Sequence, residues 1–93
     1  MTERVTRHQA KRFGERIDRA RLRQFMTVTQ LADEIVAAAR AAGHELTLDR
    51  SAVSRWIAGE NEPHMKYRPF IAKVLEKDPH DLFEPVQEYA KAG

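Results

Sequence analysis

A chain of 93 residues, 42% hydrophobic and 32% charged, has room for a single soluble domain with one modest core. The lack of cysteine excludes disulfide frameworks, thiolate zinc sites and thiol nucleophiles, and no apolar run approaches the roughly 18 residues of a membrane span. The net charge of +2 divides unevenly: residues 1–24 carry a local charge of +5, leaving −3 for residues 25–93.

Strand signals are nearly absent, and the apolar positions recur at helical spacing, so the expected fold is an all-α bundle of about five short helices. Residues 1–12 read as a basic amino-terminal segment carrying Arg4, Arg7, Lys11 and Arg12. Two roles are open to it: an arm that tracks a groove, or a disordered end that aids solubility. From about His8 to Phe25, a first helix places Phe13, Ile17 and Ala20 on one face and arginines on the rest. Thr27-Val28-Thr29-Gln30 has the pattern of a capping box and predicts a second helix starting there. Leu31, Ile35, Ala38 or Ala39, and Ala42 form its stripe, and Gly43 is a left-handed stop.

Residues 43–48 read as a connector, followed by Asp49 as N-cap of a short third helix from Arg50 to Ala58. Gly59 ends it, and Glu60-Asn61-Glu62-Pro63 forms a polar loop. A fourth helix from near Lys66 to near Lys77 tolerates Pro69 in its first turn and turns Ile71, Val74 and Leu75 inward. Asp78-Pro79 opens a fifth helix through Phe83. The tail, residues 84–93, has Val86 and Tyr89 on one side of a further helical piece.

The third helix is the informative segment. Nine residues are too few for an isolated stable helix, so Val53, Trp56 and Ile57 are read as its core side, with stacking on a base the lesser alternative for Trp56. The other side offers Arg50, Ser51, Ser54 and Arg55, all able to donate to phosphates or base edges. Such a helix suits the major groove, where an arginine makes two parallel bonds to guanine and a serine fits either base edge or phosphate. The competing reading pairs Arg55 with Glu60 or Glu62. Arg21 is likewise open to a partner within the bundle such as Glu34, or to a phosphate.

These residues resemble the helix-turn-helix domain of the Xre/Cro phage-repressor family across roughly residues 13–83. Gly14 to Arg21 resembles that family's first helix, and Met26-Thr27 with Gln30-Leu31-Ala32 the start of its second. Val53-Ser54-Arg55-Trp56 with Gly59-Glu60 and Pro63 resembles the recognition helix and the loop after it. Lys73-Val74-Leu75 through Asp81-Leu82-Phe83 resembles the closing helices. Two departures stand out: Val28 occupies the place of a phosphate-binding glutamine, and about eleven extra residues separate the second helix's start from the third. The expectation is that they lengthen the second helix by some two turns and return through residues 43–46.

The resemblance implies a sequence-specific regulator that binds double-stranded DNA. It implies Arg50, Ser51 and Arg55 as base-reading residues. Thr27, Thr29, Thr47 and Ser54 are the implied contacts to the DNA backbone, joined by Arg12 and Arg16 from the basic end. Arg40, at the end of the lengthened helix, is open to a backbone contact, a dimer contact or no role. A homodimer is expected to use Phe83, Val86 and Tyr89. The rival reading keeps the fold for a protein-interaction module, such as an antitoxin or adaptor, with a protein as main partner. His8, His44, His64 and His80 are scattered without metal-ligand spacing, and neither a phosphate loop nor a catalytic triad order appears. The chain is therefore read as a non-enzyme without cofactor or metal. With no signal-peptide pattern or membrane span, a cytoplasmic location is expected.

Overall fold

The computed structural model describes residues 2–84, with side chains from His8 onward. Five helices follow one another: α1 (Thr2–Arg23), α2 (Val28–Ala41), α3 (Arg50–Ala58), α4 (Arg68–Val74) and α5 (Pro79–Phe83). No strand occurs among the described residues, and the fold is the expected small all-α bundle. The tail piece expected beyond residue 84, with Val86 and Tyr89, lies outside the described residues.

The first helix departs from expectation at both ends. It starts at Thr2 and runs for 22 residues, so it is not short and takes in the basic segment expected to be an arm or a disordered end. Residues 2–12 contain neither glycine nor proline, so nothing in them interrupts a helix. At the other end, Phe25 is not helical but sits at φ 57°. The Met26 amide donates to the Arg21 carbonyl at 3.2 Å and the Phe25 amide to Leu22 at 3.1 Å. That pair of bonds is a Schellman stop with phenylalanine in the left-handed place that glycine usually takes.

The capping predictions hold for α2, α3 and α5. The Thr27 hydroxyl accepts from the Gln30 amide at 3.0 Å, and the Gln30 side chain accepts from the Thr27 amide at 2.8 Å, closing the capping box. Asp49 caps the amide of Ala52 at 2.9 Å, and Asp78 that of His80 at 2.9 Å. Gly43 and Gly59 take the left-handed conformation after α2 and α3. In α2 the buried stripe is Leu31, Ala32, Ile35 and Ala39; Ala42, as the exposed C-cap, drops out of it. Helix α4 is shorter than expected, because the left-handed Glu76 closes it (φ 56°) and a turn precedes it at Met65 to Tyr67.

The core joins Phe13 and Ile17 of α1, Leu31 and Ile35 of α2, Val53 and Trp56 of α3, Ile71 and Leu75 around α4, and Leu82 of α5. Ile57 and Val74 pack against it but stay half-buried. Phe13 meets Phe83 edge-on at 5.4 Å between ring centres. Truncating any one of these large side chains to alanine is worth about 2–5 kcal/mol. A Cβ on Gly14 would stand 2.2 Å from the Trp56 carbonyl oxygen, so α1 and α3 touch backbone to backbone there.

Two arginines hold the bundle from outside the apolar core. Arg68 lies over the rings of Phe13 (5.3 Å) and Phe83 (5.2 Å), donates to the Pro63 carbonyl at 2.9 Å and pairs with Glu62 at 3.1 Å. Gln9 donates to the same Glu62 carboxylate at 3.2 Å, which ties α1 to the loop after α3. Arg21 pairs with Asp18 at 2.6 Å and donates to the Met26 carbonyl at 2.7 Å. Its partner is thus not Glu34, as the sequence suggested: Asp18 stands three residues back on the same helix face, and Glu34 is exposed on α2.

Candidate nucleic-acid interface

Helix α3 is held by its apolar side. Val53 is fully buried and Trp56 is 5% exposed, its ring set against Tyr67 at 5.5 Å. Positions three and four apart from one another fall on one face of a helix, so Arg50, Ser51, Ser54, Arg55 and Ala58 face the other way. Arg50, Ser51, Arg55 and Ala58 are exposed, and Ser54 is half-buried. The guanidinium group of neither Arg50 nor Arg55 has a hydrogen-bonding or ion-pair partner among the described residues. The alternative pairing of Arg55 does not form. Glu62 belongs to Arg68 and Gln9, and Glu60 meets Arg55 only through its backbone amide, which donates to the Arg55 carbonyl at 2.9 Å.

The connector, residues 42–49, leaves this face open because it is fastened elsewhere. The Tyr67 phenol donates to the Thr47 carbonyl at 2.8 Å, and the His44 ring lies 5.6 Å from that of Phe70. Both anchors come from the start of α4. Helix α2 runs for 14 residues, and Arg40 stands exposed in its last turn.

The expected backbone contacts divide into groups. Thr27 and Thr29 are exposed at the start of α2, where the Thr27 hydroxyl is already engaged with Gln30. The amides of Val28 and Thr29 lack intrahelical partners and point along the helix axis, which is the arrangement that favours an anion. Thr47 is exposed, but the Asp49 carboxylate caps α3 two residues later, so a phosphate there meets a negative charge.

Arg12 and Arg16 do not join the α3 face. Gly14 marks the side of α1 that touches α3, and a step of two residues turns a helix by about 200°, which carries both arginines to the far side. Arg12 is 3.7 Å from Glu15, and Arg16 donates to the carbonyls of Leu82 (3.3 Å) and Glu84 (2.9 Å). Both therefore stand on a different side of α1 from the one that meets α3. Sequence reasoning missed Tyr67 and Arg68, which position the connector and the loop after α3, because no local pattern marks a tertiary anchor.

No helix among the described residues is long and apolar enough to cross a membrane. No curated protein and no solved structure matches the chain. Residues 15–80 match the model of the family described as the SP15 N-terminal domain, from within α1 to the first turn of α5. Covering well over half of the sequence and including the connector and α3 as one unit, that match places the chain in the SP15 N-terminal domain family.

Proposed function

We propose that this protein is a sequence-specific, double-stranded DNA-binding transcriptional regulator, similar in plan to Xre/Cro-type helix-turn-helix proteins. The observation that carries the reading is the outward face of α3, with two unpartnered guanidinium groups above a buried Val53 and Trp56. A helix fixed on its apolar side and free on its arginine side enters a major groove without rearranging its own fold. Arg50 and Arg55 then read guanine edges, Ser51 and Ser54 contact base edges or phosphates, and the α2 start with Thr27 and Thr29 grips the backbone.

Binding releases counterions from the phosphates, and regulation follows from occupancy in the cytoplasm. A homodimer reads a near-palindrome with half-sites about 10 bp apart. Selection from random duplexes followed by sequencing tests the proposal. A recovered motif of about three to five base pairs per half-site supports it, and a library that stays random contradicts it.

A second reading, as a protein-interaction module of antitoxin or adaptor type, draws on a different feature. A cleft of about 470 Å³ runs between α2 and the connector, with Val36, Ala37, Leu46 and Leu48 lining it between Asp33 and Arg40. Its mixed apolar and charged lining suits a partner's side chains. A partner retained in high salt, with no duplex shift in low salt, selects this reading.

A further inference from the structure

A second cationic feature lies on the opposite side of α1 from α3. Arg16, Arg19 and Arg23 fall on one stripe of the helix at spacings of three and four, about 140–180° around from Gly14. Together with Lys77, from the turn between α4 and α5, they line a cavity of about 160 Å³ floored by Ala20 and Leu82. Among the described residues that line it, Asp81 is the acidic one.

One of the four cations is held by its side chain, and one carboxylate, that of Asp81, stands among them. Arg16 is fixed by its two carbonyl acceptors at the end of α5, which leaves the rest of its guanidinium fork free. Lys77 is half-buried, and its backbone is fixed by an amide bond to the Ala72 carbonyl at 2.9 Å after the left-handed Glu76. Arg19 and Arg23 are exposed and have no ion pair or hydrogen bond among the described residues. Like charges gathered on one stripe repel, and with a single carboxylate among four cations the arrangement favours a bound anion.

We propose that this pocket binds a phosphoryl group. A carboxylate is planar and is satisfied by one guanidinium fork, whereas a phosphoryl group offers several oxygens to donors arriving from different directions. Three arginines and a lysine against one aspartate match the second arrangement. The group reaches the pocket either on a small phosphate ester or on a nucleic-acid backbone. The inference stands apart from the reading of α3, because the two surfaces lie on opposite sides of α1.

Two-dimensional amide NMR on the full chain tests it. Inorganic phosphate is titrated against a chloride control of equal ionic strength, followed by a short duplex, on the wild type and on the R19A/R23A double variant. Both replaced side chains are exposed and unpartnered, so the variant keeps its fold. The expected result is saturable movement of the amides of residues 16–23 and 77–82, weakened at least tenfold in the double variant. Saturation by phosphate alone assigns the pocket to a small ester; movement of these amides by duplex alone, lost in the variant, assigns it to backbone phosphate. Phosphate saturation with α3 untouched by duplex sustains the pocket and removes the DNA reading. Shifts that stay linear, match those of chloride, or persist in the double variant under both ligands overturn the proposal.

Discussion

The phenolic hydroxyl of Tyr67 donates to the backbone carbonyl of Thr47 at 2.8 Å, across 20 residues of sequence. The same ring packs on Trp56, so one side chain fixes both the connector before α3 and the helix itself. Tyr67→Phe keeps the ring and removes the bond. Because the bond is exposed, the expected loss of stability is about 0.5–1.5 kcal/mol by chemical denaturation. Amides of residues 44–49 should exchange with solvent faster in the variant, while those of α1 stay as protected as before. Unchanged exchange in the connector would mean that His44 and Phe70 hold it alone.

Gly14 and Gly43 make opposite demands. A methyl group at Gly14 meets the Trp56 carbonyl at 2.2 Å and that of Ile57 at 2.8 Å, both backbone atoms that cannot swing aside. Alanine gains about 1 kcal/mol in helix propensity there, but separating α1 from α3 costs more, so Gly14→Ala is expected to destabilise by a net 1–3 kcal/mol or about that. Gly43 has open space around it, and its left-handed φ of 85° alone sets the cost. Gly43→Ala should therefore lose about 1 kcal/mol, and Gly43→Asn less. Thermal melts of the three variants give the ranking directly.

Phe25 combines a left-handed backbone with a ring that is 93% exposed. Neither the conformation nor the exposure helps the folded chain, because an L side chain is disfavoured there and the ring buries almost nothing. Phe25→Gly relieves the first and loses little of the second. Against the greater freedom of glycine in the unfolded chain, the expected net gain is about 0.5–1 kcal/mol. A loss of stability on denaturation would show that the ring makes contacts in solution beyond those described.

The fold was legible where local chemistry decides it. Thr27 with Gln30, Asp49, Gly59 and Asp78 each cap or end a helix through atoms a few residues apart, and such signals are readable from the order of side chains. Phe25 was misread because apolar spacing favours continuing α1, while a Schellman stop at a non-glycine residue carries no marker. The helical start of α1 at Thr2 was not legible, because a charged segment looks alike whether helical or not. On the interface, the α3 face followed from periodicity alone. Where Arg12 and Arg16 stand relative to α3 was not legible, because charge composition tells how basic a helix is and not which of its sides meets α3. That orientation is set by Gly14, whose part emerges only once Trp56 and Ile57 are seen against it.

The most direct measurement is fluorescence anisotropy of Arg50→Ala and Arg55→Ala on a selected duplex and on a scrambled one, each at several salt concentrations. Both residues are exposed and unpartnered, so melting temperatures should match the wild type. Each variant is expected to lose about 1–3 kcal/mol on the selected duplex and to relax preference at one base position, with little change on the scrambled one. Equal losses on the two duplexes, or no loss on either, would contradict a base-reading α3.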